Sequence, residues 1–345
     1  MEHKRREGFG PLPLLGFAGA TLLAVVLSVC VGSVNIPLMD SLRVFRAALM
    51  GLPQENPGTA SILLNVRLPR VLCVALTGAS LSVCGAAMQG LLKNPLADGS
   101  TLGISSGASL GAALAIAFGF DLPGLPFSGP ALMSALFAFA SLVIILTLAW
   151  RLDSALSTNT IILLGIIYAM FISSILSLLV TFASDRLRQI TFWTMGSLEG
   201  SSLQNALALL IALAVCGGLL LHLSEELNAF AIGEDNARAI GVDVRRVRLT
   251  VLVTVSVLIG VCVSIGGTIA FVGLVTPHIV RLLTGPNHRR LLPGTLFGGA
   301  VFLLLADLAA RVIARPLELP IGVVTSFVGA ILFVVIYYRM GRSAR

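Results

Sequence analysis

Ten apolar stretches dominate the sequence, at 12–34, 71–92, 102–120, 129–150, 160–182, 203–223, 249–265, 268–283, 291–314 and 319–338. Most approach the ~20 residues that a helix needs to cross a bilayer. In hydrocarbon every backbone amide must find its partner inside the protein, so a spanning segment is either a helix or part of a closed barrel. The alternating strands of a barrel, about ten residues each, do not occur. Charged residues make up 11% of the chain, against about 25% in soluble domains. The expectation is an all-α polytopic membrane protein, one domain over 1–345 with about ten transmembrane helices in one bundle. The eighth stretch is short and follows Gly266-Gly267 directly, so it is expected not to cross fully.

Orientation follows from the basic residues. Lys4, Arg5 and Arg6 precede the first stretch, whose apolar run exceeds the 7–15 residues of a signal-peptide core, so it reads as a retained helix. With ten crossings and a cytoplasmic N-terminus, fifteen of the 23 Lys and Arg fall on the inside. Positive loops stay in the cytoplasm, which puts both termini there, with 1–11 a cytoplasmic tail. The net charge of +7 is then a topology signal and implies no nucleic-acid partner. The five cysteines (30, 73, 84, 216 and 262) lie in apolar segments without a C-x-x-C pair, and the four histidines are scattered. Packing is the expected role of these cysteines, and neither a metal site nor a cofactor is expected.

One polar interruption, KNPLADGSTLGISSGASLG at 93–111, contains Gly103-Ile-Ser105-Ser-Gly107 in hydrolase-like G-x-S-x-G spacing. A nucleophile elbow needs a strand before the serine and a histidine beside it; here a polar loop precedes it and an apolar helix follows. The Gly/Ser/Ala run instead suits close helix approach, fed by a turn at Pro95 and Gly99. Neither engine of active transport is present in full. The two lysines, Lys4 and Lys93, are not in a G-x-x-x-x-G-K-[ST] loop, which ATP hydrolysis of that type requires. The single acid within an apolar span, Asp307, has Arg311 four residues on, a spacing that suits an ion pair. That leaves an engine on a partner, with a stand-alone secondary transporter as the alternative and a membrane-embedded enzyme behind it.

The longest connection predicted to face the cytoplasm, SEELNAFAIGEDNARAIGVDVRRVR at 224–248, suits such a partner. Leu227, Phe230, Ile232, Ala237, Ile240 and Val242 recur at roughly helical intervals, and Gly233 and Gly241 can each end a short helix in a positive-φ conformation. Two short amphipathic helices presenting an apolar knob are expected. Segments 85–95 and 267–277 each begin with Gly and end with Pro, with another Gly between, a faint echo of the internal repeats of transporters.

Several blocks together resemble the FecCD family, permease subunits of ABC importers for iron-siderophores, haem and cobalamin. They are RLPRVLCVALTGASLSVCGAAMQGLLKNPLADGSTLGISSGASLG, FWTMGSL, GEDNARAIGV, GTIAFVGLVTPHIVR and ADLAAR with ELPIGVVT, in the family's order over about 60–338. The resemblance implies a homodimer with the pathway along its axis. It also implies two cytoplasmic ABC ATPase subunits, an extracytoplasmic substrate-binding protein and a metal-chelate substrate, in a bacterial inner membrane. By motif, Gly233, Glu234, Ala237, Ala239, Ile240 and Gly241 match the coupling segment that enters the ATPase. Asn94 and Leu96, with Thr158 and Asn159, match the cytoplasmic gate; Asn159 stands where related sequences often have Ser. Arg67, Arg70 and Arg311 match arginines that dock the binding protein. Ferric siderophore is the first expectation for the cargo, then haem or cobalamin.

Overall fold

A computed structural model describes residues 10–32, 36–120, 128–153 and 157–343; the cytoplasmic tail expected at 1–11 lies almost wholly outside them. The described residues form helices and no strands. In chain order these are α1 (Pro11–Cys30), α2 (Leu38–Met50) and α3 (Pro57–Leu92). There follow α4 (Ile104–Phe118), α5 (Gly129–Leu152), α6 (Thr158–Phe182), α7 (Leu187–Thr194) and α8 (Leu203–His222). The last are α9 (Ser224–Ile232), α10 (Glu234–Ala239), α11 (Val244–Gly266), α12 (Val272–Thr284), α13 (His288–Val312) and α14 (Ile321–Ser343). Each of the ten apolar stretches coincides with one of them. Among the described residues, seven helices are long and apolar enough to cross a membrane; α4, α12 and the apolar part of α14 are shorter.

The bundle is organised around α3, most of whose side chains are buried. At 36 residues it is about 54 Å long, and a π-helical turn at Ile62–Arg67 precedes Pro69. Its glycines set its neighbours. A Cβ on Gly78 would overlap the Gly299 carbonyl of α13, and one on Gly85 the Gly273 carbonyl of α12. Backbones meet there, which only glycine permits. The Gly/Ser/Ala run works in the same way: Gly107 and Gly111 of α4 lie on Ser141 and Met133 of α5. Ser105 thus sits in the first turn of a packing helix, preceded by a 3₁₀ turn at Gly99–Leu102.

The eighth stretch is short for a visible reason. After α11 the chain runs non-helical from Gly267 (φ 67°) to Phe271 (φ 68°) before α12 begins beside Leu81 and Gly85 of α3. At 13 residues, α12 is about 20 Å long. Irregular backbone at this depth must be covered by protein, and it is. Thr268 Oγ1 donates to the Thr194 carbonyl, Ser197 N donates to Gly266 O at 2.9 Å, and Gly322 packs on the Met195 and Thr268 carbonyls. The echo is not a structural repeat, because Pro95 lies in a turn and Pro277 inside α12.

Chain direction gives the molecule two ends. One carries α2, α7 and the start of α14; the other carries the 93–103 turn, α9, α10 and the start of α13. The five cysteines are unpaired thiols, four of them buried.

Candidate coupling face, gate and arginine rim

Two short helices fill the 224–248 connection, broken at Gly233 (φ 139°) and closed at Gly241 (φ 91°). Both glycines occupy the conformations their positions demand. The apolar residues divide in a way periodicity did not reveal. Leu227, Phe230 and Ala237 are fully buried against the bundle, whereas Ile232 is 72% and Ile240 70% exposed. The expected knob of six side chains is therefore reduced at its centre to these two isoleucines. Ala239 and Gly241 are exposed beside Ile240, and a Cβ on Gly241 would meet open space. Glu234 pairs with Arg248, a wholly buried arginine at the start of α11, which fixes α10 to the bundle.

The residues expected to form the gate lie at the same end. Lys93 (φ 49°) ends α3 in the left-handed region, and Asn94 then builds a tight turn. Its Oδ1 accepts from Leu96 N at 2.9 Å and its carbonyl from Ala97 N at 3.0 Å, leaving Leu96 exposed. Thr158 and Asn159 open α6. Asp153 Oδ2 holds that start by accepting from Ser157 N at 2.9 Å and Thr160 Oγ1 at 3.3 Å. The two segments are joined through Gly103, which packs on the Gly165 carbonyl and Tyr168 of α6.

The three rim arginines are placed differently from expectation. Arg67, Arg70 and Arg311 are 5%, 9% and 3% exposed. Arg70 pairs with Asp307 at 2.9 Å and with Glu318 at 2.7 Å; Arg311 pairs with Asp307 at 2.9 Å. The Asp307–Arg311 pair is thus present, but as half of a larger cluster. Arg67 donates to the Val29 and Cys30 carbonyls at 2.6 and 3.1 Å, and Arg311 to Val31 and Ser28 at 3.2 and 3.1 Å. Arg315 donates to the Gly32 carbonyl. These carbonyls belong to the end of α1 and the two residues after it, and a helix C-terminus carries partial negative charge. Arginine is suited to the task, with donors in a rigid fork. Direct docking, the role that the resemblance implies for these arginines, needs them open to a partner; in the structure they turn inward and are paired. Glu318 was missed because it lies 248 residues from Arg70.

A cleft of about 680 Å³ opens at the arginine end between α4, α5, α7 and the end of α11, with Arg186, Gln189, Phe192, Trp193 and Glu199 in its wall.

Comparison with known proteins agrees with this arrangement. An uncharacterized ABC transporter permease protein of Bacillus subtilis, YvrB, is 40% identical over 96% of this chain and 94% of its own. The hemin transport system permease protein HmuU of Yersinia pestis is 37% identical over 96% and 98%. Among solved structures, a protein assigned to the metal-chelate type of ABC transporter, in an inward-facing conformation, superposes with a TM-score of 0.83. It is 32% identical, with 96% of this chain and 100% of that one covered. The family model of the FecCD transport family matches residues 20–339, so the chain belongs to the FecCD transport family.

Proposed function

We propose that two copies of this chain form the membrane pathway of a binding-protein-dependent ABC importer for a metal chelate, driven by two separate ATPase subunits. The observation that carries this reading is the α9–Gly233–α10 pair. It lies at one end of the bundle, turns Leu227 and Phe230 inward and leaves two large apolar side chains, Ile232 and Ile240, exposed. Apolar side chains exposed together on a polar loop suit an interaction site, and the chain has no complete ATP-binding loop of its own. Gly233, Glu234, Ala237, Ala239, Ile240 and Gly241 are assigned to this contact, and Asn94, Leu96, Thr158 and Asn159 to the gate above it. The loop end then faces the cytoplasm of a bacterium and both termini lie on that side of the inner membrane.

Ferric siderophore stays the first choice of cargo, then haem or cobalamin. The docking role of Arg67, Arg70 and Arg311 is proposed as indirect: their guanidinium groups hold the outer rim in the shape that a binding protein meets. The alternative of a proton-driven carrier loses its best residue, since Asp307 is fully buried between two guanidinium groups.

The test is copurification and reconstitution. The chain expressed with the ATPase and binding protein of its own gene neighbourhood should form a complex whose ATPase activity rises with loaded binding protein. Uptake driven by a proton gradient, with no ATPase bound, would sink the proposal.

A further inference from the structure

At the loop end, one polar side chain of α9 reaches the first turn of α13. Asn228 Oδ1 accepts from the His288 backbone N at 2.8 Å and faces His288 Nδ1 at 2.9 Å. Its Nδ2 donates to Asn287 Oδ1 at 3.0 Å, which fixes the amide's orientation. Because an amide oxygen only accepts, His288 Nδ1 carries the proton. The ring is 3% exposed, and its other nitrogen, turned toward Gly90 of α3, has no hydrogen-bond partner among the described residues. A Cβ at Gly90 would overlap that imidazole. One residue earlier, Gln89 donates to the Gly273 and Leu274 carbonyls at 3.3 and 3.2 Å and accepts from Arg281 at 3.2 Å, tying the same level of α3 to α12. Three residues beyond Gly90, α3 ends at Lys93 and the gate turn begins.

We propose that Asn228, His288 and Gly90 form a rigid joint that delivers movement of α9 and α10 to the end of α3, and so to the gate turn at Asn94 and Leu96. This rests on the reading of α9–α10 as the ATPase contact and of 94–96 as the gate. The three are positioning residues. Packed interiors are bistable rather than soft, so a joint with no free volume passes on a displacement that a loose one absorbs. Without it, ATP turnover continues while the gate stays still.

The test uses the full importer in proteoliposomes, on a background without the native cysteines, with Leu96→Cys as reporter. Labelling by a membrane-impermeant maleimide is compared with and without ATP and vanadate. Gly90→Ala is the main variant: alanine favours a helix by ~1 kcal/mol over glycine, so any loss comes from the displaced imidazole. The nucleotide-dependent change in labelling should shrink by about fivefold or more in Gly90→Ala and in Asn228→Leu, with ATPase turnover of Gly90→Ala within about twofold. Adding His288→Asn to Gly90→Ala removes the clashing ring and keeps a donor for Asn228, so it should restore the response. An unchanged response in Gly90→Ala, failure of that variant to assemble, or no recovery in the double variant would each overturn the joint. If the parent complex binds no ATPase, or its Leu96→Cys labelling ignores nucleotide, the reading of α9–α10 and the gate falls instead, before any variant is compared.

Discussion

The two ends of this molecule treat their conspicuous side chains in opposite ways. At the rim, four arginines and two acids pair with one another and with the last carbonyls of α1, and four of the six are under 10% exposed. At the loop end, two isoleucines stand more than two-thirds exposed on helices otherwise anchored inward. The buried charge cluster is finished within the chain, whereas these two isoleucines are left uncovered by it; exposed apolar surface alone does not separate the ends, since α2 at the rim also exposes Leu49 (89%) and Met50 (64%). A polar residue at a membrane protein's surface is thus a poor guide to partners until its own contacts are known; an uncovered isoleucine on a glycine-bounded turn is a better one.

The sharpest way to break this contrast is at Asp307. Asp307→Leu leaves Arg70 and Arg311 without their shared acid, and removing one partner of a buried pair costs about 3–5 kcal/mol. Thermal unfolding in detergent should drop markedly, and the folded yield with it; an unaltered transition would mean the cluster carries no structure. By contrast, Ile240→Asp should leave that transition unmoved, because the side chain is exposed. It should weaken ATPase binding by about tenfold, or 1.4 kcal/mol, in a pull-down titration; equal affinity would remove the contact from α10. Gly241→Trp has open space around it but must hold a positive φ that strains a bulky residue; it should act in the same sense by distorting the turn after α10, with transport lost and the membrane bundle still folded.

Smaller in energy but finer in position is the proposed gate. Thr158→Cys should crosslink to its dimer mate in at least one nucleotide state, read on a non-reducing gel. Crosslinking by control positions but never by Thr158→Cys would move the axis elsewhere. Smallest of all is Arg43, exposed on α2 and paired only with Asp40 at 3.5 Å. Such a surface pair contributes about 0–1 kcal/mol, so Arg43→Ala should shift neither stability nor assembly measurably, in deliberate contrast to Asp307→Leu.

How much of this could be read beforehand follows from range. The ten apolar segments, the small-residue helix at 104–118 and the breaks at Gly233 and Gly241 rest on hydropathy and backbone freedom, which a residue carries with it. The burial of Phe230 against the exposure of Ile232 does not, because both are apolar and only the bundle decides which one turns inward. Likewise α2 and α7 are short amphipathic helices lying between apolar runs and give no spanning signal. The joint at Asn228 needs residues 60 positions apart in the chain, and Arg70 to Asp307 needs 237. A lone Asn in a loop and a lone His before a helix look alike in a sequence whether they meet or not.

The grip of the arginines on the end of α1 has a consequence for how the protein is made. Little of α1 is buried, and it rests mainly on α13, while the guanidinium groups holding its last turn come from positions 67, 311 and 315. Arg67 can grip α1 early, but the seat on α13 and the grips of Arg311 and Arg315 form only when nearly all of the intervening chain has followed. Until then it lies in the bilayer held by the intervening helices alone. A ribosome stalled before α13 should leave α1 open to extraction and proteolysis, and one stalled after Glu318 should leave it protected.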